Sequence, residues 1–138
     1  MGWVGNTYAA THTRDPNKIP HLFFVITSGE AEDDTLVLLN MSSLKDGCDE
    51  TCVLRPDDPD CECIRRFLKW PSCIMYGKAL KATVDDLCRA IDRGKFIPGP
   101  KADHALIHRI QDGALESPNM IDTQALSLIT AEIDFRAT

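Results

Sequence analysis

Long apolar runs are missing from this chain: no stretch of about 18 apolar residues occurs, so nothing reads as a membrane span. Basic charge is scarce as well. Fifteen Lys and Arg stand against twenty-one Asp and Glu, a formal net charge of -6. That balance excludes a broad basic surface for gripping phosphates and leaves room only for a local patch. No glycine-rich phosphate loop, nucleophile elbow or kinase signature appears, which removes those reaction classes. The first residues, MGWVGNTYAATHTRDP, have no basic region followed by an apolar one. They do not read as a signal peptide, and the expected compartment is the cytoplasm.

What is present is ordinary globular material. The chain has 138 residues, 43% hydrophobic and 26% charged, enough for one domain with a core that needs no disulfide. Six cysteines (Cys48, Cys52, Cys61, Cys63, Cys73 and Cys88) are many for a cytoplasmic protein. Cys48-x3-Cys52 and Cys61-x-Cys63 offer four thiolates, but the spacing departs from the paired CxxC knuckles of zinc sites. Free thiols, some of them small core residues, are expected.

The centre of the chain is HLFFVITSGEAEDDTLVLLNMSSL, residues 21–44. Two short runs rich in Val, Ile, Leu and Phe, Leu22–Ile26 and Leu36–Leu39, flank an acidic loop too short to cross a sheet. They predict an antiparallel pair of strands. Trp3–Ala10, Glu50–Arg55 and Cys73–Leu80 read as further strands, with Gly77 a bulge position. Cys63–Trp70 reads as a helical turn or an extended segment. From Thr83 the period becomes helical. Thr83 and Asp86 suggest a capping box and Gly94 a helix end. A second helix is expected from about Lys101 to Asp112, ended by Gly113. A third carries Leu126, Ile129 and Ile133, with Ser117-Pro118 as its cap. Strands first and helices last make an α+β fold.

Candidate chemistry is sparse. His104 and His108, four apart, share a helix face without a matching third metal ligand. His12 lies in a loop with no recognisable partner. His21 opens the first central strand, and Ser42 and Ser43 end its partner. Antiparallel pairing brings these ends together, and histidine beside hydroxyls suits proton transfer near neutral pH. The alternative is a turn capped by the serines and a histidine bonded to backbone. Arg65, Arg66 and Lys69, followed by Lys78 and Lys81, form the one basic cluster, which is otherwise a solvated face.

The segments PHLFFVIT, LVLLNMSSL, DETCVL and IRRFLKWPSCIMYGKAL, followed by a helix, resemble the MazF/PemK-type toxins of toxin–antitoxin systems. The likeness is to a divergent PemK-like branch and covers roughly residues 19–93. It implies a small SH3-like antiparallel β-barrel, expected over about residues 1–80; a helical part is expected over about 83–138, and its helices after Gly94 lie beyond the compact family core. It also implies a homodimer that cleaves single-stranded RNA by acid/base attack of the 2′-hydroxyl, with neither metal nor cofactor. An antitoxin-like protein partner is implied too. In this likeness His21 stands where the family has a strand-leading arginine, and Ser42 or Ser43 where it has a Thr/Ser. Arginine is always charged, whereas histidine must be protonated to hold a phosphate. The expected roles are His21 as acid or base, Ser42 and Ser43 on the phosphate, and Arg65, Arg66 and Lys78 on the RNA. A catalytically silent barrel that binds a protein partner is the alternative.

Overall fold

The computed structural model describes residues 2–10, 21–30, 34–45 and 47–136. Seven strands are β1 (Thr7–Ala10), β2 (Leu22–Val25), β3 (Thr35–Ser43), β4 (Val53–Leu54), β5 (Ser72–Ile74), β6 (Leu80–Thr83) and β7 (Phe96–Pro98). Three α-helices are α1 (Val84–Asp92), α2 (His104–Glu116) and α3 (Thr123–Arg136), and Pro59–Phe67 and Tyr76–Lys78 are 3-10 segments. All strand pairs are antiparallel, in the order β4-β5-β3-β2-β1-β7, with β6 also on β3. No helix among the described residues is long and apolar enough to cross a membrane.

The α+β arrangement and the central antiparallel pair are as expected, but the closed barrel is not. Among the described residues β4 and β7 stand at opposite ends of the sheet and do not pair. Pro56 follows β4 closely and a turn closes with Asp58 N donating to Arg55 O, so this edge is two residues long. β7 takes the outer side of β1 instead. It went unrecognised in the sequence because it is only three residues long and ends in a proline. A proline fits there because β7 is an edge strand.

β3 is the axis of the sheet. Leu36 to Met41 are all buried, as a run apolar on both faces requires. Val37, Leu39 and Met41, with Leu22, Phe24 and Ile26, pack against Leu106, Ile107, Ile110, Leu128 and Ile129 of α2 and α3. Leu36 and Leu38 on the other face, with Tyr8 and Val25, meet Leu87 of α1. That helix begins with the expected capping box: Asp86 N donates to Thr83 Oγ1, and Thr83 N to the Asp86 carboxylate. Nine residues of α1 reach only one half of this second face. The other half, around Asn40 and Ser42, carries no helix among the described residues.

The strand expected over Cys73–Leu80 is interrupted. Ile74 stands opposite Met41 and Leu80 opposite Leu38, so six steps on this line face three on β3. The surplus is folded out as the 3-10 turn Tyr76–Lys78, which contains Gly77. The turn sends Tyr76 into the core, where its hydroxyl donates to Ile110 O at 2.7 Å, and leaves Lys78 exposed. Gly113 does not end α2, which continues to Glu116. It is buried against Tyr76. Ser117 does not cap α3 either: its hydroxyl accepts from Asn119 N, while Asp122 accepts from Ala125 N at the start of that helix.

The cysteines divide in a way the spacing did not show. Cys48 and Cys73 form a disulfide with Cα atoms 6.7 Å apart, which corrects the expectation of free thiols at these two positions. Closing this loop contributes about 3 kcal/mol by the chain-entropy estimate. Cys52, Cys61, Cys63 and Cys88 are free. A zinc quartet is ruled out, since Cys48 is bonded and Cys52 and Cys61 are core residues. Burial is the main cause pushing the Cys61 thiol up to about 12, where a thiolate does not form near neutrality.

The loop bearing Cys48 has a second anchor. Asp49 accepts from Ser117 Oγ at 2.5 Å and from Thr51 N at 2.9 Å. Burial opposes ionisation of its carboxyl, yet the hydrogen bonds from Ser117, Thr51 and Asn119 outweigh it and hold the pKa at about 2. A carboxyl lowered on folding stabilises the chain above its unfolded value of 3.8. That stability is lost as pH falls toward 2. Ser117→Ala removes the main donor, so its acid unfolding, followed by circular dichroism, is expected at higher pH than wild type. Equal midpoints would contradict this account of the anchor.

Candidate functional site

The half of this sheet face that no described helix covers holds a cavity of about 330 Å³. It is built by register. Phe23 pairs with Asn40, so two residues outward the antiparallel pattern places His21 opposite Ser42. Across β3, Met75 N donates to Asn40 O at 2.9 Å. On the far side of β2, Ala10 N donates to His21 O at 3.1 Å. His21, Asn40, Ser42 and Lys78 supply the polar wall, and Phe23, Met75 and Leu80 most of the apolar one. Lys78 is the one cation among the described lining residues, and no carboxylate lies with it. In a chain of net charge -6, the described lining of this pocket has the sign that attracts an anion.

His21 is exposed, and its Nδ1 lies 3.4 Å from Met41 O. A proton on Nδ1 is held by that carbonyl, which leaves Nε2 with the lone pair and able to accept a proton. Three of the residues singled out in the sequence, His21, Ser42 and Lys78, therefore line one pocket. Ser43 does not line it. Strand alternation turns it to the opposite face, where its hydroxyl accepts from Trp70 Nε1 at 2.8 Å. Arg65 and Arg66 do not line it either: they stand exposed on the Pro59–Phe67 segment, with the Arg66 guanidinium 4.9 Å from the Phe67 ring centre.

Asn40 and Phe23 were not singled out in the sequence. Asn40 had a legible signal, since a lone amide inside LVLLNMSS, two residues before Ser42, must share its face. Phe23 had none, because it sits in an unbroken apolar run. Its ring centre is 5.3 Å from that of Phe96, and Phe96 is 6.1 Å from Tyr8. The three rings form an aromatic shelf reaching the pocket.

Two other clusters fit a ligand less well. Asp58, Asp60 and Cys61 approach one another closely enough to hold a metal ion. The Arg109 guanidinium already fills that role, 2.9 Å from Asp60 and 3.3 Å from Asp58, with Val53 O as a further acceptor. A second cavity, about 300 Å³, lies between α2 and α3 beside His104, His108, Glu132 and Arg136. Its cation is engaged by Asp112 and Gln111, and Glu132 accepts from Ser28 N. His12 lies outside the described residues.

No protein-family model, curated protein or solved structure matches this chain.

Proposed function

We propose that this protein is a metal-independent endoribonuclease of the MazF/PemK type, acting on single-stranded RNA at the His21 pocket. The observation that carries the reading is the meeting of an imidazole, a hydroxyl, an amide and an unpaired-sign cation, Lys78, in one anion-attracting pocket. The apolar side beside it, with Phe23, suits an unstacked base. In the reaction His21 Nε2 takes the proton of the 2′-hydroxyl, which attacks the adjacent phosphorus. Ser42 and Asn40 hold phosphate oxygens by hydrogen bonds. The Lys78 ammonium neutralises the charge gathering there and supplies the proton that the 5′ oxygen takes as it leaves. The products are a 2′,3′-cyclic phosphate and a 5′-hydroxyl.

The same reading carries an SH3-like descent for the open sheet, a homodimer, an antitoxin-type protein partner and a cytoplasmic setting. Arg65 and Arg66, away from the pocket, then serve a later stretch of the RNA backbone. The overall acidic charge favours the second reading, a silent module that receives a protein segment on the open sheet face. Incubation with a mixed single-stranded RNA in the presence of chelator separates the two. The nuclease gives discrete fragments ending in cyclic phosphate and leaves an all-2′-deoxy strand whole. Intact RNA throughout would leave the binding module.

A further inference from the structure

The disulfide does not line this pocket but stands next to Ser42, which does. Cys73 is the register partner of Ser42 on one side and of Val53 on the other. It therefore shares the face of Ser42, and side chains so paired lie about 5 Å apart. Cys48 Sγ lies 4.0 Å from Ser43 O. The bond thus ties the loop leaving β3 to the strand that flanks the last three residues of β3. No other covalent link in the described chain crosses this sheet.

Its position argues against a mere staple. The core on both sides of the sheet is large, and four further thiols stay unpaired, two of them buried. The loop has non-covalent anchors that survive reduction: Asp49 on Ser117, and Leu44 N donating to Pro71 O at 2.9 Å. Cys52 cannot take the place of Cys48, because it faces the other way, against Gly113 and Tyr76. On the proposed reading the chain sits in a reducing compartment, where a disulfide is usually transient and catalytic or redox-sensing.

We propose that the Cys48–Cys73 disulfide is a redox tie that holds Ser42 and the end of β3 in place, so that the pocket is assembled when the bond is formed and loosened when a dithiol reduces it. This rests on the His21 pocket being the working site. Cys48 is only part-buried whereas Cys73 is fully buried, so the reductant's thiolate attacks Cys48 Sγ. The S–S bond breaks, and Cys73 leaves with the electron pair and takes a proton. The reductant's second thiol then displaces Cys48 from the mixed disulfide. The reductant ends as a disulfide and the protein as two thiols.

The test uses the whole chain, oxidised or treated with dithiothreitol, with alkylation and peptide mass reporting on Cys48 and Cys73. Amide hydrogen exchange is read residue by residue, together with cleavage of the RNA used above. Reduction is expected to speed exchange at residues 41–43 and 72–74 about tenfold or more beyond any rise in α1 and α2, and to slow cleavage by a similar factor. Cys48→Ser should behave as the reduced chain does, with or without dithiothreitol. Unchanged exchange at 41–43 would overturn the proposal, as would a uniform rise across all elements, which marks a staple for the whole fold. RNA left whole by both forms, with local exchange still redox-dependent, would defeat the nuclease reading and leave the tie standing. Equal cleavage by both forms, with unchanged exchange, would do the reverse.

Discussion

Gly113→Ala is expected to destabilise the chain by about 2 kcal/mol, although alanine is the better helix former by about 1 kcal/mol. A Cβ at this position would lie 2.1 Å from the Tyr76 hydroxyl oxygen and 2.9 Å from the ring carbon that bears it. Tyr76 is 1% exposed and cannot swing out without leaving a cavity. Overpacking of this kind costs about 1–3 kcal/mol, and displacing the hydroxyl from Ile110 O forfeits about 1 more. For a chain of this length the melting temperature should fall by about 7 °C. Tyr76→Phe in the same chain removes the worst contact and should recover part of the loss. A Gly113→Ala protein as stable as wild type would show that the ring is not fixed there. The consequence reaches the site, because Tyr76 is the root of the 3-10 turn that presents Lys78. Cleavage by Gly113→Ala should therefore fall even below its melting temperature.

How much of this was legible in the sequence follows from which interactions are local. The antiparallel pair β2–β3 was, because two β-rich runs with a short loop permit little else, and its register brings His21 to Ser42. The capping box of Thr83 and Asp86 was, because it is contained in four residues. Gly113 was misread for a reason that is not local. A glycine near the end of an apolar helix pattern reads as its terminus, and only the Tyr76 ring from a distant turn explains why it sits inside α2. The surplus of three residues in 76–78 exists only relative to β3, so Gly77 gave a hint of a bulge and nothing of its length. Ser43 was grouped with Ser42 by adjacency, whereas the pleat sends neighbours to opposite faces. The pairing of Cys48 with Cys73 crosses the sheet through β5, and spacing along the chain carried no trace of it.

The account stands or falls on His21. General acid–base catalysis by a positioned side chain contributes about a hundredfold to ten-thousandfold, and here no second imidazole lines the pocket among the described residues. His21 is exposed, and among the described residues its ring makes a polar approach to Met41 O, at 3.4 Å. Its removal should leave the fold and the melting temperature unchanged. His104, exposed on α2 beside the other cavity, is the matched control. The most direct measurement is the cleavage rate of one single-stranded RNA by wild type, His21→Ala and His104→Ala, side by side with chelator present. The account predicts a loss of at least about a hundredfold in His21→Ala and the wild-type rate in His104→Ala. A His21→Ala protein that cleaves as fast as wild type would contradict it.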